Sequence, residues 1–424
     1  MPTPLTWLLE AAAILCVSAL IVGAPRALVA GRALRWLPTI TAALLALTLV
    51  FDPWRWQLVP LFALAIVAFG LGYRRLRRGG PSRRWWRRGV AIALGSLGLL
   101  VVALPLALFP LFDLPSPRGP GRIGVADLHL IDRARADPLF GSARKIMVRA
   151  WYPATPHGDG APARYVSRRF AAALLDPDAP LVVLHHLPRI GTAGRTGLAI
   201  TPGVHPVVIF LPGYQAFVAQ STTLARDLAS AGYVVLSVAS PGDASVVDSP
   251  DGRVRTFRRH RLLDHLAGIT RFADAFECDL PSEQGLRFAR EVNRLTPDPG
   301  RELDLIAGDA ASVPDRVAGG GLGALDGHVD PNRVAIVGMS FGGAAAARLC
   351  SRDRRCRAGV NLDGFMFGDL QGREIGRPFM VVANGASGRT YYDDTIGRGS
   401  ADRPTRPYGW TCKCAAAAMR TSPI

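Results

Sequence analysis

The stretch Val334-Ala-Ile-Val-Gly-Met-Ser-Phe-Gly-Gly343, continued by Ala344-Ala-Ala-Ala-Arg-Leu349, decides the fold. Three of its first four residues are β-branched and all four are apolar, which reads as a short strand buried on both faces. The alanine run that follows reads as a helix. Ser340 stands on the turn between them, inside Gly-x-Ser-x-Gly. That pattern is unspecific by itself in a chain with 45 glycines. A strand leading in and a small-residue helix leading out make it a nucleophile elbow. Gly338 and Gly342 flank the serine because the turn is tight and strand and helix pass closely. The N-terminus of the following helix aims N–H groups at the serine, which suits a developing oxyanion.

Outward from the elbow the pattern repeats. Apolar, strand-like runs stand at 146–152, 207–211, 233–239, 358–362 and 379–383, with an amphipathic helix at 221–231. Short apolar strands alternating with helices imply an α/β architecture: a mostly parallel sheet with helices on both faces. Its ligands belong beyond the carboxyl ends of the strands. Phe210-Leu-Pro-Gly-Tyr-Gln215 follows the run from Val207 there, and the N–H of Tyr214 is the candidate second oxyanion donor beside that of Phe341. Asp363 ends Ala358-Gly-Val-Asn-Leu-Asp363, one strand along from the elbow. A carboxylate closing an apolar run is costly unless it has a partner, so Asp363 is the candidate catalytic acid. Asp393 and Asp394, in a loop, are the alternatives.

These residues carry a family resemblance. Asp330-Pro-Asn-Arg-Val-Ala-Ile-Val-Gly-Met-Ser-Phe-Gly-Gly343 and Arg354-Arg-Cys-Arg-Ala-Gly-Val-Asn-Leu-Asp-Gly-Phe-Met-Phe-Gly368 resemble the platelet-activating factor acetylhydrolase family of α/β-hydrolases. Asp227-Leu-Ala-Ser-Ala-Gly-Tyr-Val-Val235 and Val148-Arg-Ala-Trp-Tyr-Pro153 fit the same family. The resemblance covers roughly 120–390. It implies a serine esterase that removes short or modified acyl chains from lipid-like esters without a metal or cofactor. It puts Ser340 in the nucleophile's place and Asp363 in the acid's. Met339 departs from the His common before the serine. Two other readings stay open: a polyester or dienelactone-type hydrolase on the same scaffold, and a non-catalytic hydrolase-fold membrane protein.

The resemblance also implies a base, a His on a loop after the last strand. The eight histidines are 129, 157, 185, 186, 205, 260, 265 and 328, and all precede Ser340. The catalytic His is therefore unassigned. His185, His186, His260 and His265 lie in inserts able to fold over a site; His205 and His328 precede their strands. From about Arg398 the sequence changes character. Residues 399–424 show no strand pattern and hold two of the six Cys and one of the two Lys, as a truncated or frameshifted tail does. Triad members act as a unit, so the expectation is a crippled esterase. Cys350 and Cys356 flank a five-residue loop between the elbow helix and the Asp363 strand, and form a candidate disulfide in an oxidising compartment.

Before residue 113 the composition is different. Apolar stretches at about 4–24, 34–51, 58–73 and 90–112 suggest four transmembrane helices, with Glu10 the weak point of the first; a cleaved signal peptide is the alternative for that stretch. The chain of 424 residues carries a formal net charge of +17. Residues 1–112 hold twelve Arg against Glu10 and Asp52, so the basic excess sits beside the apolar runs rather than in a nucleic-acid patch. The first and third loops are Arg-rich and the second is nearly neutral. That asymmetry puts the two Arg-rich loops in the cytoplasm and the hydrolase domain outside it. The expected organisation is a multi-pass anchor over 1–112, in a bacterial inner membrane, a Pro/Gly-rich linker over 113–122, an α/β-hydrolase domain over 123–398 and the atypical tail. The expected partners are the lipid bilayer and a lipid-like or small ester, with no nucleic acid.

Overall fold

The computed structural model describes residues 4–22, 37–51, 56–67, 85–109, 112–138, 143–173, 186–248, 254–256, 297–366, 375–383 and 409–413, with a few isolated residues between them. The chain forms two compact units. One comprises Met1–Asp113 with Leu181–Gly191, the other Leu114–Pro180 with Thr192–Ile424.

The first unit contains α1 (Pro4–Val22), α2 (Leu37–Phe51), a helix over 59–67 and α3 (Trp85–Leu108). Its core gathers Ala13, Val17, Leu58, Leu61, Ala65 and Val102. The four expected transmembrane helices are not found as such: no helix among the described residues is long and apolar enough to cross a membrane. The physical reasons differ from helix to helix. At about 1.5 Å per residue, the 15 residues of α2 reach roughly 22 Å, short of the ~30 Å hydrocarbon layer. The apolar run of α1 is interrupted by Glu10, and α3 opens on Trp-Trp-Arg-Arg and carries Pro105.

The second unit is built on one large sheet. Its strands are β1 (Arg122–Ala136), β2 (Ala143–Ala154), β3 (Ala161–Arg164), β4 (Gly191–Thr196), β5 (His205–Leu211), β6 (Val234–Ala239), β9 (Val329–Met339), β10 (Cys356–Leu362), β11 (Phe379–Ala383) and β12 (Gly409–Lys413). They lie in the order β12-β11-β10-β9-β5-β6-β2-β1-β4-β3, and β7 (Val246–Asp248) and β8 (Val254–Thr256) form a separate ribbon against the short helix α4 (Arg168–Ala173). From β12 to β6 every pairing is parallel; β2 runs antiparallel to both β6 and β1. The six apolar runs read from the sequence all occur as strands; those in β2, β5 and β6 are buried on both faces, while those in β9, β10 and β11 alternate buried with half-buried residues. On one face the core packs Ile209, Leu236 and Ile336 against Leu303 and Ala310 of α6 (Pro297–Gly319) and the alanines of α7 (Phe341–Arg352). On the other, Val208, Phe210 and Val235 meet Ala225 and Ala229 of α5 (Thr222–Ser230).

The tail read as lacking a strand supplies one. Gly409–Lys413 pairs in parallel with β11, from Phe379↔Gly409 to Ala383↔Lys413. Trp-Thr-Cys is compatible with a strand, and the free edge of β11 provides the ladder that a local reading does not see. Asp393, Asp394, His185, His260 and His265, and much of the stretch between 245 and 325, lie outside the described residues.

Candidate active site

The site is assembled where β5, β9 and β10 end. Their register aligns Leu211 with Gly338 and Leu362 with Met339, so the three loops that follow emerge side by side. Ser340 is exposed and occupies the N-cap of α7, with φ +52° and ψ −121°. A non-glycine residue there is strained by about 1–3 kcal/mol and persists only where its surroundings dictate it. They do so here. The Ser340 N–H donates to the Leu362 carbonyl at 2.7 Å, and the Ser340 carbonyl accepts from Gly343 N–H at 2.8 Å. The flanking glycines answer a steric demand: a Cβ on Gly338 would strike the Gly342 carbonyl, and one on Gly342 the Leu211 and Pro212 carbonyls. Nothing else can move aside, since every obstacle is backbone.

The loop after β5 lies directly against this elbow. A Cβ on Gly213 would stand 3.5 Å from the Ser340 Cβ. Gly213 donates its N–H to Gln220 Oε1 at 2.8 Å, and Gln215, at φ +58°, donates its N–H to the Asp243 carbonyl at 3.1 Å. Tyr214 sits between these two anchored residues, its ring 5.5 Å from that of Phe341 in an edge-on pair. Phe341 is the first residue of α7, so its N–H stands at the N-terminal end of that helix, beside Ser340. Asp363 follows β10 in the left-handed conformation, φ +57°, with its N–H on the Val382 carbonyl at 2.7 Å. Ser340, Asp363, Phe341 and Tyr214 thus meet at one end of the sheet. Cys350 at the end of α7 and Cys356 at the start of β10 are bonded to each other, with Cα atoms 5.1 Å apart.

A buried charge cluster braces the same end. Arg144 and Asp309 are both fully buried; Arg144 donates to Oδ1 of Asp309 at 3.0 Å and to its Oδ2 at 2.7 Å, and to Asp137 at 3.2 Å. Burial pushes the guanidinium pKa of Arg144 down. The Asp309 hydrogen bonds and the charges of Asp309, Asp137 and Asp243 outweigh it, so the net shift is upward. Asp243, which takes part in that field, lies in the loop that anchors Gln215.

The described histidines of the same unit are placed elsewhere. His205 and His328 meet at the opposite end of the sheet, where His205 N–H donates to the His328 carbonyl at 2.8 Å. At about 3.3 Å per residue, the six steps of β5 from His205 to Leu211, which pairs with Gly338, put them at least about 20 Å from Ser340. His129 is exposed on β1, four strands from β9, which is about 19 Å at the usual strand spacing. His157 follows β2 at the far end, and His186 belongs to the first unit. Among the described residues, no group of His, Cys, Asp and Glu is arranged to hold a metal ion.

Sequence reasoning missed Gln220, Gly213, Gly364 and Asn361. Of these, Asn361 left a trace: a lone amide inside an otherwise apolar strand. Gln220, on an exposed-looking turn seven residues from its partner, left none.

Comparison with known proteins agrees with this geometry. Residues 317–386, which include the elbow and the Asp363 turn, match the family of platelet-activating factor acetylhydrolase, isoform II. The platelet-activating factor acetylhydrolase of Bos taurus is 28% identical over 186 residues, 42% of this chain and 39% of that protein. That of Canis lupus familiaris is 25% identical over 168 residues, 38% of this chain and 35% of that one. The matches therefore span less than half the length of these relatives. Among solved structures, a ferulic acid esterase from Streptomyces cinnamoneus superposes with a TM-score of 0.52 at 26% identity, covering 70% of this chain and 74% of that one. The chain is an α/β-hydrolase whose elbow and Asp363 turn are similar to those of the platelet-activating factor acetylhydrolases.

Proposed function

We propose that the chain is a serine carboxylic-ester hydrolase acting on short-acyl or lipid-like esters. The observation that carries this is the strained, exposed Ser340 at the mouth of three converging strand ends. In this reading Ser340 is the nucleophile, and the N–H groups of Phe341 and Tyr214 receive the oxyanion. Asp363 is the acid that orients a base. Attack of the Ser340 hydroxyl on the ester carbonyl forms an acyl-enzyme and releases the alcohol; water then frees the acid. The relatives' names support an acetyl ester and the structural neighbour's name an aromatic one, so the acyl side is small in the first case and planar in the second. Short- and long-acyl chromogenic esters test the reading. The chain should hydrolyse the short ester weakly and preferentially, and Ser340→Ala should remove that activity; equal rates for the chain and Ser340→Ala refute it.

A non-catalytic role is the second reading, favoured by one observation: none of the described histidines of the hydrolase unit stands near Ser340.

We further propose that the first 112 residues attach the protein to a lipid bilayer, with the hydrolase unit outside the cytoplasm. The support is the Arg asymmetry of the loops together with the wide exposure of Leu8, Leu15, Ile66, Leu97, Leu100 and Leu104 on the described helices. A reporter that works only outside the cytoplasm, fused after Phe112, should be active. Recovery of the chain in the membrane-free fraction, or activity only of a cytoplasmic reporter, overturns it.

A further inference from the structure

We propose that Asn361 is a positioning residue whose carboxamide locks the Asp363 turn to the elbow; this rests on the ester-hydrolase reading of Ser340 and Asp363. Asn361 is the penultimate residue of β10 and has no exposed surface. Its Oδ1 accepts the Gly364 N–H at 2.7 Å and its Nδ2 donates to the Gly364 carbonyl, also at 2.7 Å. One side chain thus satisfies both backbone groups of a single residue and encloses Leu362 and Asp363. The two bonds also orient the amide: reversing it would face oxygen to carbonyl and nitrogen to N–H.

Two consequences follow from this clamp. Asp363 is held at φ +57°, a conformation that a non-glycine residue leaves unless its neighbours over-determine it. The same amide also touches the elbow. A Cβ on Gly343 would collide with Asn361 Oδ1, and one on Gly364 with the Ser340 carbonyl oxygen. Gly343 and Gly364 are bare so that the amide can pack between the first turn of α7 and the Asp363 turn. Because Asn361 is fully buried, its bonds are shielded from solvent, and the amide adds a side-chain lock to the Ser340 N–H···Leu362 bond that already ties the elbow to the Asp363 turn.

Asn361→Leu is nearly isosteric and keeps the packing while deleting both hydrogen bonds. In the full chain, Gly364 amide exchange should accelerate at least tenfold with the amides of β5 and β9 unchanged. Phosphonylation of Ser340 by a fluorophosphonate, followed over long incubations by intact mass, should slow about tenfold or more. A role in packing alone leaves the labelling rate unchanged, and that result overturns the proposal, as does unchanged Gly364 exchange. Where Asn361→Leu fails to fold, Gly343→Ala and Asn361→Ala replace it. Gly343→Ala should slow labelling about tenfold in the native background and clearly less, about threefold at most, on top of Asn361→Ala, because the collision with the amide is then gone and only the 3.1 Å approach to the Gly338 carbonyl oxygen remains. Additive effects overturn the proposal. If Ser340 is never labelled, the ester-hydrolase reading fails, and the Gly364 exchange still decides whether Asn361 holds the turn.

Discussion

The histidine placement makes a quantitative prediction about Ser340. A serine hydroxyl is a weak nucleophile until a neighbouring base takes its proton. General-base assistance is worth about 10²–10⁴ in rate, and hydrogen-bond reach is about 3 Å. His205 and His328 are at least about 20 Å away and His129 about 19 Å, so none of these three supplies any part of it. What is left is the elbow and its N–H groups. The chain should therefore react with a fluorophosphonate on the order of a thousandfold more slowly than an intact relative, equivalent to about 4 kcal/mol of barrier at ~1.36 kcal/mol per decade. The perturbation is to replace the residues after Ser387 by the tail of a relative carrying a late His, which would follow the edge strand beside β11. Labelling, read by gel fluorescence against time, should rise by about the same thousandfold and vanish again with Ser340→Ala. Fast labelling of the unaltered chain refutes the reasoning. It would mean that His260 or His265 reaches the serine, and single replacements of the two would show which.

Three further outcomes follow from the site's packing. Gly342→Ala sets a Cβ against the Leu211 and Pro212 carbonyls, an overpacking cost of about 3 kcal/mol that should lower the melting temperature by several degrees; an unchanged melting curve contradicts the crowding. Burial raises the pKa values of Asp304 and Asp353, but hydrogen bonds and charge from Arg348 and Arg352, and from Arg355, prevail and hold both below the usual carboxylate range. Groups with depressed folded values contribute stability above about pH 4 and lose it as the pH falls through the folded value. Melting temperatures should thus fall between pH 4 and 2, less steeply in Asp304→Asn, and equal slopes count against the pairing. Replacing Cys350 and Cys356 by Ala opens a short loop and should cost about 2 kcal/mol in denaturant titrations, whereas thiol labelling of both in unreduced protein from an oxidising compartment would show that no bond exists there.

The sequence by itself determined the part of this protein whose signals are local. Strand, Gly-x-Ser-x-Gly and small-residue helix sit within sixteen consecutive residues, and burial between helices makes the runs of the central strands apolar. Ser340, Gly338 and Gly342 follow from that stretch alone, because a tight turn between two closely packed elements excludes side chains regardless of the rest of the chain. Asp363 was legible for a related reason, a charge ending an apolar run. Only the tertiary structure decided the remainder. β1 and β4 are partly exposed and mix polar with apolar residues, so their place in the sheet depends on partners that arrive from β2 and from each other. β12 exists through the open edge of β11, some 26 residues earlier, and Leu181–Gly191 belongs with Met1–Asp113 through contacts across a long stretch of chain. The Asn361 clamp is of the same kind. Its four-residue span is local, but its role depends on Gly343 of a different element packing on the far side of the amide, and no pattern along the chain records which neighbour a buried polar group will meet.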